Sequence, residues 1–219
     1  MLTVGEAVRQ RRSIRKFLDK PVPREMINEI LEAARLAPSG GNRQPWRFLV
    51  VTDPEERAKL RKICWDQAFI EQAPVVFVCG ADLTAYSQAS RQKRSQELID
   101  YGVTRTLSGR FADPEFRASL LNLPASDLKL FVAPAVAGTY IAIEHMVLTA
   151  TALGLGCCWV GALGGEGEIH ALFNLPKTLV VAAVLPVGYT DNVPPPRPRI
   201  PLSEILLRPL QAAIKEEEE

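Results

Sequence analysis

The chain has 219 residues, 47% of them hydrophobic, enough for a substantial core in one large domain or two small ones. Its formal net charge is +1, so no global field draws it to nucleic acid or to an anionic membrane, and its basic residues act locally or not at all. Met1 to Gly5 shows no basic stretch followed by an apolar core, so no signal peptide is expected, and no uninterrupted apolar run is expected to cross a bilayer.

Thr3-Val4-Gly5-Glu6 has the form of a capping box and predicts a helix from there, carrying Ala7 and Val8 inward. That helix runs toward a basic cluster, Arg11-Arg12-Ser13-Ile14-Arg15. Pro23 opens a second helix, in which Met26, Ile27, Ile30, Leu31 and Ala34 recur at helical spacing. Pro38-Ser39-Gly40-Gly41 stops it. Residues 47–51 read as a strand, Asp53-Pro54 starts a polar helix reaching about Cys64, and 75–79 reads as a short buried strand. The stretch 84–133 is ambiguous. Residues 91–100 suit a charged helix, and the whole reads as an insertion with helical pieces, either a lid over a site or a solvated excursion.

From Gly138 to Leu153 the chain is apolar without a clear polar face, which predicts a helix buried on several sides and ended by Gly154 and Gly156. Residues 157–160 read as a strand, 167–173 as a short helix and 179–187 as an apolar, β-branched strand. Pro194-Pro195-Pro196 is extended. Residues 202–210 form a short apolar arm, and 211–219 an acidic tail. Composition and pattern give one α+β or α/β domain over residues 1–210.

Four cysteines, Cys64, Cys79, Cys157 and Cys158, form no Cys-x-x-Cys pair, and His145 and His170 are the only histidines, so no dedicated metal site is expected. Cys157 and Cys158 stand in an apolar run and read as buried free thiols, which fits a cytoplasmic protein. His145, inside the apolar helix, reads as a hydrogen-bonded structural residue. No phosphate-binding Gly-rich loop or dinucleotide fingerprint occurs: Gly154-Leu155-Gly156 ends a helix, whereas such a fingerprint begins one.

Three guanidiniums and a hydroxyl within residues 11–15 suit a phosphate monoester, because Arg donates forked, charge-assisted hydrogen bonds and Ser a short one. Alone, such a pentapeptide equally suits a solvated surface. Arg11 and Arg15 are spaced i, i+4, so on a helical turn both reach one side. Two further segments accompany the cluster: Pro38-Ser39-Gly40-Gly41-Asn42-Arg43-Gln44-Pro45-Trp46, and Pro196-Arg197-Pro198-Arg199.

In this order the three segments resemble the nitroreductase family of FMN-dependent oxidoreductases, over about residues 3–205 and most weakly between 84 and 135. The resemblance implies an α+β sandwich with a mainly antiparallel sheet wrapped by helices. It also implies an intertwined homodimer in which a C-terminal extension, here the arm after Pro201, reaches over the partner. It implies FMN at the subunit interface, with NADH or NADPH as electron donor and a small-molecule acceptor. On this basis Arg11, Arg12, Ser13 and Arg15 hold the ribityl-phosphate and ring edge, and Arg197 and Arg199 add a second basic pair on the phosphate.

Pro38, Ser39, Gly40 and Asn42 match a loop that contacts flavin from the other subunit. Val160 and Gly161 match backbone that passes the flavin N5 edge, where one N–H donates. Some family members carry a glutamate where this chain has Gly161, so no side-chain contact is assigned there. Gln67 suits an amide ligand of the flavin or an ordinary surface residue, and Trp46 a core anchor. No acid–base side chain stands out, as expected where the flavin carries the redox chemistry. The implied activity is ping-pong reduction of nitroaromatic, quinone-like or other oxidised acceptors by NAD(P)H. The alternatives are a specialised relative (a dehydrogenase, a dehalogenase or a flavin-consuming enzyme) and a non-catalytic flavin carrier or sensor.

Overall fold

A computed structural model describes residues 2–106, 108–121 and 128–208. The expected acidic tail and the end of the C-terminal arm lie outside these residues. Helix α1 (Val4–Gln10) begins at Thr3, whose hydroxyl accepts the Glu6 N–H at 3.3 Å while the Glu6 carboxylate accepts the Thr3 N–H at 2.7 Å. Ala7 turns inward as expected, but Val8 is 54% exposed. Helix α2 (Arg24–Arg35) follows Pro23 and buries Ile30 and Ala34, with Met26, Ile27 and Leu31 packed beside them.

Then come β1 (Trp46–Val51), α3 (Pro54–Ile63) capped by the Asp53 carboxylate, α4 (Ala68–Gln72) and β2 (Val75–Asp82). The ambiguous middle contains α5 (Gln88–Asp100) and α6 (Pro114–Leu121). The chain continues through α7 (Val132–Ala152), β3 (Gly156–Cys157), α8 (Glu166–Phe173) and β4 (Leu179–Gly188), and then α9 (Leu202–Ile205).

The sheet order is β1-β2-β4-β3, each neighbour antiparallel to the next. Both faces are covered. On β2, Val75, Phe77 and Cys79 point to the α2–α7 side, and Val76 and Val78 to the α3–α4–α8 side. On β4, Ala183, Leu185 and Val187 share the first cluster and Val184 the second, while Val181, beyond the slip in the β2–β4 ladder, also joins the second. Alternate side chains enter opposite faces, so a sheet buried on both sides needs continuous apolar strands. Each fully buried Ile, Leu or Phe contributes about 1.5–3 kcal/mol of burial free energy. The ladder between β2 and β4 slips between Cys79 and Gly80. A Cβ at Gly80 would stand 2.7 Å from Leu179, so glycine permits the close approach there.

Three expectations need correction. The α7 helix is buried along one side only, through Ala135, Gly138, Thr139, Ala142, Ile143, Met146, Val147 and Ala150. Tyr140 and Ile141 are 41% and 43% exposed on another side. Apolar residues all round the helix therefore do not mean burial all round within one chain. Moreover, the continuous helical stretch Leu128–Ala152, within which an 18-residue window has mean hydropathy 1.5, is long and apolar enough to cross a bilayer by length and composition. Its inner face nevertheless packs on α2 and β2 as a core helix. The strand expected over 157–160 pairs with β4 only at 156–157 and again, as an isolated bridge, at Val160 opposite Val184.

Candidate active site

The helical expectation for the basic cluster does not hold. Helix α1 stops at Gln10, and Arg11 is already extended (φ −55°, ψ 136°). Ser13 forms a parallel bridge with Cys157, and the Ile14 N–H donates to the Cys157 carbonyl at 2.9 Å. Ile14 is thereby buried. In an extended segment alternate residues share a side, so Arg11, Ser13 and Arg15 are grouped by a period of two rather than by i, i+4. Gly156 makes this docking possible: a Cβ there would stand 2.6 Å from Ile14.

The cluster opens onto a cavity of about 580 Å³. Arg11, Arg12, Ser13 and Arg15 line one part of it. Asn192, Pro194 to Pro196, Arg197 and Arg199 line the other, and Val8, Arg9 and Lys16 complete it. Six arginines and one lysine therefore meet with no aspartate or glutamate in the lining among the described residues. Both ends of the chain converge at Cys158, whose thiol is pushed up by burial and drawn back down by Arg15 and Arg197. The Arg15 guanidinium lies 5.8 Å from the centre of the Phe69 ring. Arg12 donates through Nη1 to the carbonyls of Arg9 and Arg11, at 2.8 and 2.9 Å, and its Nε is buried without a partner among the described residues.

Such a concentration of like charge is costly unless an anion fills it. The donors fit a phosphate monoester: forked guanidiniums at two ends of the chain with a hydroxyl between them. Arg9, Lys16 and Asn192 were absent from the sequence reading. The basic character of the whole run from 9 to 16 was the available signal for the first two.

The remaining expected residues stand outside this cavity. Val160 donates its N–H to Val184 at 3.0 Å and accepts the Val184 N–H at 2.9 Å, so both its backbone groups are used within the sheet. Gly161 follows at the surface, with open space where a Cβ would be. From Cys157, the partner of Ser13, the chain reaches Gly161 in four residues, a span of at most about 13 Å. Gln67 sits before α4 and donates its amide to the Cys64 carbonyl at 3.0 Å, within its own turn.

Pro38 and Gly40 are exposed and Asn42 is half-buried, in a loop that turns through Gly41 (φ +59°) and Asn42 (φ +53°). The Ser39 hydroxyl accepts the Gln44 N–H at 2.9 Å. This loop lies against α5 and against Gly138 of α7, away from the chain's own cation-lined cavity. Trp46 is a core residue, as expected.

The histidines are held structurally: His145 Nδ1 lies 3.1 Å from the Ala33 carbonyl, and His170 pairs with Glu166 at 3.7 Å. Among the described residues no group of three or more His, Cys, Asp and Glu residues is placed to hold a metal ion. All four cysteines are free and buried; burial pushes the Cys64 thiol up to about 11 and the Cys157 thiol up to about 12.

Comparison with known proteins bears on this site. The nitroreductase family model matches residues 8–189. An NADH dehydrogenase of Thermus thermophilus is 35% identical over 208 residues, covering 94% of this chain and 96% of the relative. An iodotyrosine deiodinase of Thermotoga neapolitana is 25% identical over 214 residues, covering 95% and 98%. A solved structure from Exiguobacterium sibiricum, in complex with FMN, is similar with a TM-score of 0.76 and 26% identity, over 94% of this chain and 97% of that one. The match begins in α1, just before the basic cluster, and ends beyond β4, and with it the chain belongs to the nitroreductase family.

Proposed function

We propose that this chain, a single flavin-binding domain over residues 1–210, works as a homodimer. It takes electrons from NADH or NADPH and delivers them by a ping-pong cycle to a nitroaromatic, quinone-like or other small oxidised acceptor. As a nitroreductase-family member it is an FMN-dependent NAD(P)H oxidoreductase. The observation that carries the reading is the cavity lined, among the described residues, by six arginines and a lysine without a carboxylate.

Arg11, Arg12, Ser13 and Arg15, with Arg197 and Arg199, hold the FMN phosphate. Val160, locked onto β4, fixes the strand end, and the Gly161 N–H, which has no backbone partner among the described residues, would be the donor to the ring's N5 edge. Bound FMN would supply the redox chemistry between nicotinamide and acceptor. The chain's task is to bind, orient and exclude water. Pro38, Ser39, Gly40 and Asn42 reach the flavin of the partner subunit, which accounts for their distance from the chain's own cavity. Gln67, whose amide already donates to the Cys64 carbonyl, offers its carboxamide oxygen to the flavin.

Three features support the dimer. The Tyr140–Ile141 side of α7 is apolar and open, and β1 is an edge strand. Beyond Pro201 the arm exposes Leu202, Ile205 and Leu207, at 65%, 59% and 102%. Apolar surface arranged as an arm and a receiving face favours exchange between two copies. Four buried free thiols support a cytoplasmic location.

The deiodinase relative favours a second reading, reductive removal of halogen from an aromatic acceptor, with the excursion over 84–133 covering that acceptor. The deciding experiment is the visible spectrum of the purified protein, supplemented with FMN, followed by NADH or NADPH without oxygen. Bleaching of a yellow protein is expected. A protein that stays yellow with both nicotinamides points to a carrier, and one that binds no FMN overturns the proposal. Bleached enzyme reoxidised by a halogenated phenol, but not by a nitroaromatic or quinone, favours the second reading.

A further inference from the structure

Trp65 combines exposure with backbone strain. It is 69% exposed and has φ +60°, and Asp66 after it has φ +53°. The Gln67 N–H donates to the Cys64 carbonyl at 3.4 Å, so Trp65 and Asp66 are the two central residues of a tight turn with mirror-image geometry. Such turns favour Asn-Gly, because an ordinary Cβ crowds the following carbonyl at positive φ. A bulky aromatic residue there is a clear outlier. The strain is not offset by burial, since the indole is mostly in solvent. Strain of this kind gathers where a side chain is held for a ligand.

The surroundings specify the ligand. Gly164 (φ +70°) lies against this turn: a Cβ on it would fall within 2.2 Å of the Ile63 carbonyl oxygen and 3.5 Å from the Trp65 Nε1. Gly164 is three residues beyond Gly161. Phe69, four residues further along the chain, carries the Arg15 guanidinium at 5.8 Å. Trp65 thus lies against the loop that follows Gly161, and four residues before the ring that meets a cavity arginine. The turn is clamped twice, by Arg61 Nε on the Asp66 carboxylate at 2.8 Å and by the Gln67 amide on the Cys64 carbonyl at 3.0 Å. A turn held on both sides of Trp65 fixes where its indole leaves the backbone, which lowers the entropy cost of presenting a flat face.

We infer that the indole of Trp65 forms one wall of the acceptor's seat and selects flat aromatic acceptors by stacking. This rests on the FMN reading above. Trp65 is a specificity-determining residue, and the phosphate and ring contacts of FMN are made without it.

The test compares wild type with Trp65→Ala, Trp65→Phe and Trp65→Gly, using 1,4-naphthoquinone as the flat acceptor and ferricyanide as one that does not stack. Trp65→Ala raises the KM for naphthoquinone about five- to tenfold, the scale of one aromatic pair. Trp65→Phe restores it to within about twofold, and all variants keep wild-type FMN affinity and wild-type ferricyanide turnover. Trp65→Gly shows the same KM defect yet melts about 2–4 °C higher, because it relieves the turn. Without nicotinamide, naphthoquinone added to the oxidised holoenzyme quenches tryptophan emission, and Trp65→Phe lowers that quenching by the Trp65 share, leaving what Trp46 and Trp159 contribute.

An unchanged naphthoquinone KM in Trp65→Ala overturns the inference while leaving the FMN reading intact. Loss of FMN from that variant also overturns it, by making Trp65 a cofactor residue. A lower melting temperature in Trp65→Gly refutes the strain argument on which it stands. Wild-type protein that takes up no FMN overturns both readings.

Discussion

Replacing Gly156 with alanine tests whether the fold of β3 builds the anion cradle. The new Cβ would lie 2.6 Å from Ile14 Cγ1 and 3.0 Å from its Cβ. The closer approach falls about 0.8 Å short of an ordinary contact. Ile14 has little room to retreat, being 3% exposed and tied by its N–H to the Cys157 carbonyl at 2.9 Å. Overpacking of this kind costs about 1–3 kcal/mol. For a chain of this size each kcal/mol lowers Tm by about 2–4 °C, so a fall of about 2–12 °C is expected. Ile14 stands between Ser13 and Arg15, so its displacement also moves the hydroxyl and a guanidinium. Loss of one charge-assisted hydrogen bond, about 1.5–3 kcal/mol, weakens FMN binding about 10- to 100-fold. Differential scanning calorimetry of the apoprotein and FMN fluorescence titration read the two effects separately. The control is Gly167→Ala in α8, where nothing lies within 4 Å of the added Cβ; it leaves FMN affinity unchanged and stabilises by up to about 1 kcal/mol. If Gly156→Ala melts like wild type and retains FMN with wild-type affinity, the steric coupling between β3 and the basic segment is wrong.

Other perturbations reach the same site or its surroundings. Arg197 and Arg199 are exposed and enter none of the ion pairs found among the described residues, so changing both to alanine leaves the apoprotein's Tm nearly unchanged. At about 1.5 kcal/mol each, the pair's loss weakens FMN binding about 100-fold, and an unchanged titration would remove the C-terminal segment from the site. A thiol-reactive disulfide dye at about pH 8 should label none of the four cysteines quickly in native protein and all four after denaturation, because burial keeps them as thiols. Rapid labelling of native protein would contradict that burial.

Partial desolvation of the otherwise exposed Glu144 side chain also raises its carboxyl above its ordinary 4.5, partly offset by Arg11 and His145. Below 4.5 the group is neutral in both states; as pH rises, the unfolded chain ionises first and the fold loses stability until Glu144 itself ionises. Glu144→Gln should therefore melt above wild type at neutral pH and like it in acid. A lower Tm at neutral pH would mean that the carboxylate is held by a favourable partner.

Much was legible before folding because the responsible signals are local. The Thr3 capping box, the apolar spacing of α2, the Asp53-Pro54 helix start and the β-branched runs of β2 and β4 all act within a few residues, and each produced the expected element. The basic pentapeptide, read together with the Ser39 loop and Arg197-Pro198-Arg199, pointed to an anion site and to the family. What those signals could not supply was direction. Arg11 and Arg15 looked like a helical pair, yet Cys157, more than 140 positions away, pulls the segment into an extended bridge and imposes a period of two. Helix α7 looked buried on several sides, but the sheet and α2 cover one, and the chain leaves Tyr140 and Ile141 open. Val160 and Gly161 looked equivalent until Val184 took both backbone groups of the first.

Sequence alone determined the elements, the apolar faces and the identity of the charges, because propensity, capping and side-chain chemistry are properties of neighbours. Tertiary structure decided which charges meet, which N–H stays free and which aromatic stands strained in solvent, because those depend on pairings that close only when distant strands dock.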